Sequence, residues 1–251
     1  MPIPTPAVTY DLTVVTVCRN VLAELQKTLP SVLEQKAKGS LRIEHLVIDG
    51  ASTDGTPEWL AGQKEQGRIE AYLSEPDAGI YDAMNKGIAL ARGRVITFMN
   101  AGDCYHGPDI ACCVSPILKG EVRTAVGTAL YYRVDGSLAR TFRPDTQRAY
   151  LDTVGCHQAY FFDTAATRRL GGYDAAFFRS AGDLELMNAF LRQYGMPFCS
   201  ETVVAEFYQG GFSTNCRERF RHEFVELQWR SWEQFCERCR HEPRFAEISA
   251  A

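Results

Sequence analysis

The sequence contains no long apolar run. No stretch approaches the roughly 18 consecutive apolar residues that a membrane-spanning helix needs. The first residues, MPIPTPAVTYD, hold no basic segment of the kind that opens a secretory signal. The nine cysteines form an odd number, which without an export signal indicates reduced thiols rather than a disulfide framework. We therefore predict a cytoplasmic protein.

An excess of charge of one sign is also missing. The formal net charge is −4, from 27 basic and 31 acidic residues in a chain of 251. Nucleic-acid-binding domains usually carry a clear basic surplus, so no nucleic acid partner is predicted. Charged residues make up 23% and hydrophobic residues 45%, as in ordinary globular domains. The length allows one large domain or two small ones.

A third absence concerns the turn after the first predicted strand, Leu12–Val17. A dinucleotide-binding fold would place G-x-G-x-x-G there. The sequence instead continues with Cys18-Arg19-Asn20. This counts against a nicotinamide or flavin enzyme of that fold.

The most informative stretch that is present runs from Ser74 to Asp103. Apolar residues at helical spacing predict a helix over Ile80–Ala91, capped by Gly93. A short strand, Val95–Met99, then ends in the turn Asn100-Ala-Gly-Asp103. We expect four residues of the helix to share its polar face: Tyr81, Asp82, Asn85 and Lys86.

Acidic residues follow several predicted strands of the first half. Asp49 follows the strand Ile43–Ile48, and Asp77 follows the strand Ile69–Leu73. Asp103 follows the strand Val95–Met99. Alternating strands and helices predict a parallel sheet, whose carboxyl edge is where ligands bind. One or two carboxylates suit a cation that holds a diphosphate. The alternative is a solvated helix face with ordinary turn residues.

Asp54 lies just before a predicted helix around Pro57–Gln63, beside Gly55. It could accept a hydrogen bond from a nucleobase or a ribose. It could equally cap a turn or the helix. The sequence leaves both roles open.

The second half is less regular. Asp183 opens a predicted helix over Leu184–Tyr194, where it could serve as a base or as an N-terminal cap. His157 precedes an aromatic strand and is more often structural in such a position. The remaining predicted elements are a helix over 108–118, strands over 122–128, 130–134, 138–142, 159–162 and 203–207, a short helix over 163–170 and a loop over 209–214.

A long basic and aromatic helix is predicted over residues 217–244. One face carries Phe220, Phe224 and Leu227, and a second carries Val225 and Trp229. Such helices lie at membrane surfaces, which suggests peripheral membrane contact. Packing against the rest of the protein is the alternative.

Taken in order, these stretches resemble the family 2 glycosyltransferases, inverting nucleotide-sugar enzymes of the GT-A fold. The likeness covers about residues 12–213, and each motif alone is weak. The motifs are TVVTVCRN, HLVIDGASTDGT, SEPDAGIYDAMNKGI, FMNAGD, CHQAYFF, GGYDAAF, SAGDLEL and YQGGFS.

The resemblance implies a fold and a domain organisation. The fold is a Rossmann-like, mostly parallel central sheet with flanking helices, followed by a C-terminal helical extension. The transferase domain would span residues 1–215, with a nucleotide half over about 10–105 and an acceptor half over about 106–215. The extension would span residues 216–251.

The resemblance also implies roles for individual residues. Asp49 would contact the nucleobase, uracil, and Asp183 would be the catalytic base. Asp103 would hold Mg²⁺ or Mn²⁺ against the diphosphate. The other residues expected at the nucleotide and donor are Thr16, Arg19, Asn20, Asp54, Asp77, Asp82, Asn85, Lys86 and Asn100, and those expected to contact acceptor or donor are His157, Gln158 and Gly182.

Two departures from the family pattern matter. Asn100 stands where many members have the first acidic residue of the metal-binding element, and a neutral amide is a weaker ligand. The membrane spans and terminal Q/R-x-x-R-W element of processive synthases are missing, which favours transfer of a single sugar. The acceptor would be a glycan or a lipid-linked glycan of bacterial surface polysaccharide or glycolipid synthesis, at the inner membrane face.

Two other functions remain open on the sequence. A nucleotidyltransferase also uses an α/β sheet, acidic strand ends and a metal, but usually has a Gly-rich basic loop after its first strand. The second alternative is a nucleotide-sugar binding protein without catalytic activity.

Overall fold

The computed structural model describes residues 7–148, 154–210 and 217–241. The strands are β1 (Tyr10–Cys18), β2 (Ile43–Asp49), β3 (Ala71–Ser74), β4 (Gly93–Phe98), β5 (Cys104–Tyr105), β6 (Thr124–Tyr132), β7 (Leu138–Phe142), β8 (Tyr160–Asp163) and β9 (Phe198–Tyr208). The helices are α1 (Leu22–Ala37), α2 (Thr56–Glu65), α3 (Ile80–Leu90), α4 (Ala111–Leu118), α5 (Thr164–Arg169), α6 (Gly182–Tyr194) and α7 (Arg217–His241).

The strands of these described ranges form one sheet in the order β3-β2-β1-β4-β8-β6-β9-β5, with β7 paired to β6. The first four strands in this order are parallel throughout. β8 joins antiparallel to β4 and β6, and β6 runs parallel to β9. The predicted α/β class with a mostly parallel central sheet and flanking helices is confirmed. Parallel pairing concentrates in the first half, where strands alternate with helices.

β1 and β2 are interior strands of the sheet and are buried almost throughout. Both strands are apolar and β-branched, as is typical of strands covered on both faces. Gly93 was predicted to cap α3, but it is the first residue of β4 and pairs with Tyr10. Its N–H donates to Thr13 Oγ1 at 2.8 Å, so Gly93 is bonded to β1 soon after α3 ends.

Several predicted boundaries in the second half are wrong. The two strands predicted over 122–128 and 130–134 are one strand, β6. Where the break was predicted, β6 continues, with an irregular register against β9 beside Thr128. β5 was not predicted, since two residues carry no readable periodicity. β9 and α4 also differ in extent from the predicted elements. Residues 211–214 of the predicted loop and residues 242–244 of the predicted C-terminal helix lie outside the described residues.

The C-terminal helix α7 packs on the rest of the protein through the first predicted face. Leu227 is 2% exposed and belongs to the main apolar core, with Phe220 and Phe224 partly buried beside it. Val225 and Trp229, on the second face, are 66% and 59% exposed. None of the helices in the described ranges has the length and apolar character needed to cross a membrane. The division of the chain at residue 216 remains a prediction.

Candidate functional site

Asp49, the last residue of β2, lies beside Cys18, the last residue of β1. Its carboxylate is fully buried and accepts hydrogen bonds on both oxygens. Oδ2 accepts from the N–H of Ser52 at 3.1 Å and from the Ser74 hydroxyl at 2.6 Å, while Oδ1 accepts from the Ser52 hydroxyl and the Cys18 thiol. This geometry does not support the predicted direct contact of Asp49 with a nucleobase. Asp49 instead shapes the turn that follows β2.

Asp77 and Arg19 meet at the same strand ends. A Cβ at Gly50 would collide with Asp77 Oδ2 and lie 3.2 Å from Arg19 Cδ. Burial raises the pKa of the Cys18 thiol, and the charges of three carboxylates, Asp49, Asp54 and Asp77, raise it further. The structure therefore brings these predicted residues together around β1 and β2.

Asp54 has the geometry of a cap. Its Oδ1 accepts from the N–H of Thr56 at 3.2 Å, and its Oδ2 accepts from the N–H of Leu22 at 2.9 Å. The Thr56 hydroxyl is the main cause that holds the pKa of Asp54 below its usual value. Asn20 Oδ1 similarly accepts from the N–H of Thr53 at 2.8 Å. Both side chains order the turns at the starts of α1 and α2, which supports the capping alternative.

Asp82 and Lys86 hold the loop that precedes α3. Asp82 Oδ2 accepts from the N–H of Ala78 at 2.9 Å. Lys86 Nζ donates to the carbonyl of Pro76 at 2.7 Å and pairs with Glu75 at 3.0 Å. These contacts fix the backbone on either side of Asp77.

Tyr81 and Asn85 were predicted to share a polar face of α3, but the structure does not place them there. Tyr81 is 6% exposed, and its ring stacks on Tyr173 with 5.2 Å between centroids. Asn85 exchanges two hydrogen bonds with the backbone of Tyr173, at 2.8 and 2.9 Å. The helix α3 therefore has a second buried side, which faces the second half of the chain.

Asp183 lies in the first turn of α6 and is partly exposed. The hydroxyl of Tyr81 donates to Asp183 Oδ1 at 3.1 Å. Gly182 makes this approach possible, because a Cβ there would lie only 2.9 to 3.1 Å from atoms of the Tyr81 ring. Gly182 is thus needed here for close packing, and its contact with acceptor or donor remains a prediction.

His157 and Gln158 are buried behind the site. The ring of His157 stacks on Phe98, and its Nε2 lies 2.8 Å from the Tyr173 hydroxyl. Burial lowers the pKa of His157, so the ring is held neutral. Gln158 Nε2 donates to Asp103 Oδ2 at 2.9 Å. Gln158 thus contacts the Asp103 carboxylate directly, whereas His157 contacts Phe98 and Tyr173.

Asp103 is 5% exposed and closes the turn after β4. In addition to Gln158, the N–H of Tyr208 donates to its Oδ1 at 3.1 Å. Burial raises the pKa of Asp103 to about 7. Within the described residues, the buried Asn100 Oδ1 has no hydrogen-bond partner.

Asp103 and Asp183 share a neighbour, Cys156. Burial raises the pKa of this thiol to about 12, and the negative charges of both carboxylates contribute to the rise. Both carboxylates therefore lie close enough to Cys156 for their charges to act on its thiol.

The Asn100–Asp103 turn offers oxygen atoms of the kind that bind a divalent cation. No cluster of three or more His, Cys, Asp or Glu side chains with metal-binding geometry exists in the described parts of the chain. Magnesium, however, often takes only one or two protein carboxylates together with phosphates and water. The unpaired Asn100 Oδ1 and the hydrogen-bonded Asp103 carboxylate, which keeps lone pairs, fit that pattern.

Thr16 lies two residues before the end of β1. It is fully buried in β1, and its Oγ1 is 2.9 Å from His45 Nε2. Its predicted contact with the nucleotide is not supported by the position of its side chain. The β-branched pattern of β1 predicts such burial without any functional role.

Sequence reasoning missed two residues that organise the site, Tyr173 and Glu223. Glu223 is 9% exposed and accepts hydrogen bonds from the backbone ahead of α6. Its spacing gave a usable signal, since it lies three residues after Phe220 and four before Leu227, on the inward face of α7. Tyr173 gave no comparable signal.

This chain is similar to several known proteins. The model of glycosyl transferase family 2 matches residues 13–179. An uncharacterised glycosyltransferase of Mycobacterium tuberculosis is 38% identical over 208 residues, which cover 81% of this chain and 77% of the relative. A PGL/p-HBAD biosynthesis glycosyltransferase of the same species is 27% identical over 169 residues, 63% of this chain and 61% of the relative.

Two solved structures share the fold. Staphylococcus aureus TarS, in complex with UDP-GlcNAc, superposes with a TM-score of 0.63 at 15% identity, over 88% of this chain and 66% of its own. The mannosyltransferase PcManGT of Pyrobaculum calidifontis, in complex with GDP-Man and Mn²⁺, also gives 0.63, at 18% identity over 93% of this chain and 66% of its own. The chain thus spans about two thirds of each of these structures.

The fold likeness confirms the predicted GT-A architecture. The family match covers well over half of the chain and includes the residues from β1 to the segment before α6. The chain belongs to glycosyl transferase family 2.

Proposed function

We propose that this glycosyltransferase moves one sugar from a nucleoside-diphosphate donor, a UDP-sugar, to an acceptor hydroxyl with inversion at the anomeric carbon. The observation that carries the proposal is the placement of Asp183 in the first turn of α6, with the Tyr81 hydroxyl on Oδ1. A partly exposed carboxylate at such a position can accept a proton.

In the proposed reaction, Asp183 takes the proton of an acceptor hydroxyl. The acceptor oxygen forms a bond to the anomeric carbon while the bond from that carbon to the diphosphate oxygen breaks on the opposite face. The nucleoside diphosphate leaves with the bonding electrons. General-base assistance of this kind contributes about 10²- to 10⁴-fold in rate.

Asp103 and Asn100 would hold Mg²⁺ or Mn²⁺ in this proposal. A bound cation supplies charge neutralisation for the leaving diphosphate. Support comes from the fit of the Asn100–Asp103 turn and from the Mn²⁺ present with GDP-Man in PcManGT. Gln158 and the N–H of Tyr208 would orient the Asp103 carboxylate.

The nucleotide is assigned to the carboxyl ends of β1 and β2, beside Arg19 and Asp77. Both structures named above hold nucleotide sugars, which supports a donor of that class. Asp49 would act indirectly, by ordering Ser52 and Ser74 at the edge of that site. Residues 10–105 would form the nucleotide half of the domain and residues 106–215 the acceptor half.

The acceptor is assigned to a glycan or lipid-linked glycan of bacterial surface polysaccharide or glycolipid synthesis. One relative bears the name PGL/p-HBAD biosynthesis glycosyltransferase, which supports this class. Exposed Val225 and Trp229 give α7 an outward apolar face that suits peripheral contact with the inner membrane face.

The proposal is tested with a panel of UDP- and GDP-sugars, first by thermal shift with and without Mn²⁺ and then by release of nucleoside diphosphate with glycan and lipid-linked acceptors. We expect a UDP-sugar to stabilise the protein and to release UDP when acceptor is present. Release of pyrophosphate from a nucleoside triphosphate would contradict the proposal. Binding without transfer to any acceptor would also contradict it.

The base assignment has its own test. Asp183→Asn should abolish transfer and leave the affinity for nucleotide unchanged, because the amide cannot accept the proton. Asp174→Asn, an exposed acidic residue nearby, serves as the matched control. Near-normal turnover of the Asp183 variant would show that another group is the base.

A further inference from the structure

Glu223 is a buried carboxylate that reaches from α7 to the segment ahead of α6. Its Oε1 accepts from the N–H of Arg179 at 2.9 Å. Its Oε2 accepts from the N–H groups of Ser180 and Ala181, at 2.8 and 2.9 Å, and from the Ser180 hydroxyl at 3.1 Å. Three consecutive backbone donors therefore converge on one side chain, and each bond to a charged acceptor is stronger than a neutral one.

The helix that carries Glu223 is itself firmly packed. Leu227, one turn further along α7, is 2% exposed in the main core. The guanidinium of Arg230 lies over the rings of Phe177 and Phe178, 3.8 and 5.8 Å from their centroids. The same helix thus contacts the segment before α6 at two points, through Glu223 and through Arg230.

The anchored segment leads directly to the catalytic position. Ala181, the last residue bound by Glu223, is separated from Asp183 only by Gly182. Gly182 is packed against the Tyr81 ring, and the Tyr81 hydroxyl binds the Asp183 carboxylate. The start of α6 is therefore restrained by Tyr81 on one side and by Glu223 on the other.

We propose that Glu223 is a positioning residue for sugar transfer, which sets the direction of the Asp183 carboxylate through the backbone of Arg179–Ala181. This inference rests on the proposed function, because Asp183 is the base in it. It gives α7 a role in the reaction that is separate from any contact with a membrane.

Replacement by glutamine tests the role with little change in volume. Glu223→Gln removes the negative charge and turns one acceptor oxygen into an NH₂ group, which cannot accept from a backbone N–H. Part of the hydrogen bonding to Arg179–Ala181, ahead of α6, is therefore lost. We expect kcat to fall about tenfold or more. The affinity for nucleotide should change less than twofold, since Glu223 contacts the backbone of Arg179–Ala181 and not Arg19 or Asp77, where the nucleotide is assigned.

Two matched variants on the same helix separate positioning from stability. Leu227→Ala removes core packing and lowers Tm without touching the Arg179–Ala181 amides, so kcat measured well below Tm should stay near wild type. Glu218→Gln makes the same chemical change as Glu223→Gln at an exposed position of α7 and should change neither quantity. If kcat follows Tm alike in the Glu223 and Leu227 variants, the positioning role is overturned.

Amide hydrogen exchange provides a readout that does not depend on activity. Glu223→Gln should speed exchange at residues 179–181 and leave β1 and β2 unchanged. If wild-type protein transfers no sugar, the proposed function fails, while the exchange data still show whether Glu223 restrains this segment. If wild type transfers sugar and Glu223→Gln has normal kcat and normal exchange, the inference fails and the proposed function stands.

Discussion

The hydroxyl of Tyr81 donates a 3.1 Å hydrogen bond to Oδ1 of Asp183, across 102 positions of sequence. Tyr81 belongs to α3, which packs on the nucleotide half of the sheet, and Asp183 belongs to α6 of the second half. The bond therefore ties the proposed base to the helix that follows the Asp77 loop. Burial is the main cause that raises the pKa of Tyr81 well above its usual value, so its hydroxyl remains a donor at neutral pH.

The Tyr81→Phe variant should keep the fold and lose much of the activity. The phenylalanine ring can still stack on Tyr173, so packing is retained. A hydrogen bond to a charged group is worth about 1.5–3 kcal/mol. If that stabilisation orients Asp183 for reaction, turnover falls about tenfold or more, as steady-state kinetics would measure.

The control for this change is Tyr72→Phe, a partly buried tyrosine of β3 at the far edge of the sheet. It should leave turnover near wild type. Equal turnover of wild type and Tyr81→Phe would show that the hydroxyl does not orient the base.

Gly182→Ala should disturb the same contact sterically. The added methyl group would lie 2.9 to 3.1 Å from atoms of the Tyr81 ring, so Tyr81 or the start of α6 must move. Overpacking of this kind costs about 1–3 kcal/mol. We expect lower stability in urea unfolding and a larger loss of turnover than in Tyr81→Phe.

Gly62→Ala is the matched control for this second variant, because nothing lies within 4 Å of its added Cβ in α2. Alanine is the better helix former by about 0.8–1.0 kcal/mol, so this variant should be slightly more stable than wild type. Unchanged stability and activity of Gly182→Ala would mean that the tight approach of Tyr81 has no consequence.

The sequence predicted the first half of the fold well for a physical reason. β1 and β2 are mostly apolar runs, α3 has apolar residues at helical spacing, and the strands alternate with helices as a parallel sheet requires. Two residues illustrate the limit of such reasoning. Tyr81 was assigned to a polar face, because its buried partner Tyr173 comes from a distant segment that periodicity does not identify.

The candidate site shows the same limit. The sequence singled out acidic residues near strand ends, and the structure brings Asp77 to Gly50 after β2 and both Asp103 and Asp183 near Cys156. It could not tell that Asp49 is enclosed by Ser52 and Ser74, since that depends on where β3 ends relative to β2. Burial of a carboxylate is a tertiary property, and strand-end position does not determine it.

Donor binding should depend on a divalent cation through the Asn100–Asp103 turn. We expect a chelator to remove the thermal shift produced by the donor and Mn²⁺ to restore it. Asn100→Asp adds a charged oxygen ligand, so the Mn²⁺ concentration for half-maximal shift should fall several-fold. Without metal the same variant should be less stable than wild type, because its new carboxylate lies beside the buried Asp103.

The comparison variant for the metal series is Asn188→Asp, which makes the same change on α6, near the cavity lined by Thr124 and Met187. It should leave the Mn²⁺ dependence as in wild type. A donor shift that survives chelation in both wild type and Asn100→Asp would show that donor binding needs no cation at this turn.

Acid should destabilise the protein through His45 in β2. His45 is fully buried, its Nε2 lies 2.9 Å from Thr16 Oγ1, and burial is the main cause that lowers its pKa to about 3. In the unfolded chain a histidine takes up a proton below about pH 6.5. Between pH 6.5 and 3 the unfolded state therefore binds more protons, and the free energy of unfolding falls as the pH falls.

His45→Gln isolates this contribution, because glutamine does not titrate and its amide can still bond Thr16. As the pH falls through this range, the free energy of unfolding should fall more slowly in the variant than in wild type. The difference between the two slopes should be up to about 1.4 kcal/mol per pH unit, as urea unfolding at several pH values would measure. His157, whose pKa burial also lowers, is present in both proteins, so its effect cancels in the comparison. Parallel curves for the two proteins would mean that His45 is not held neutral by the fold.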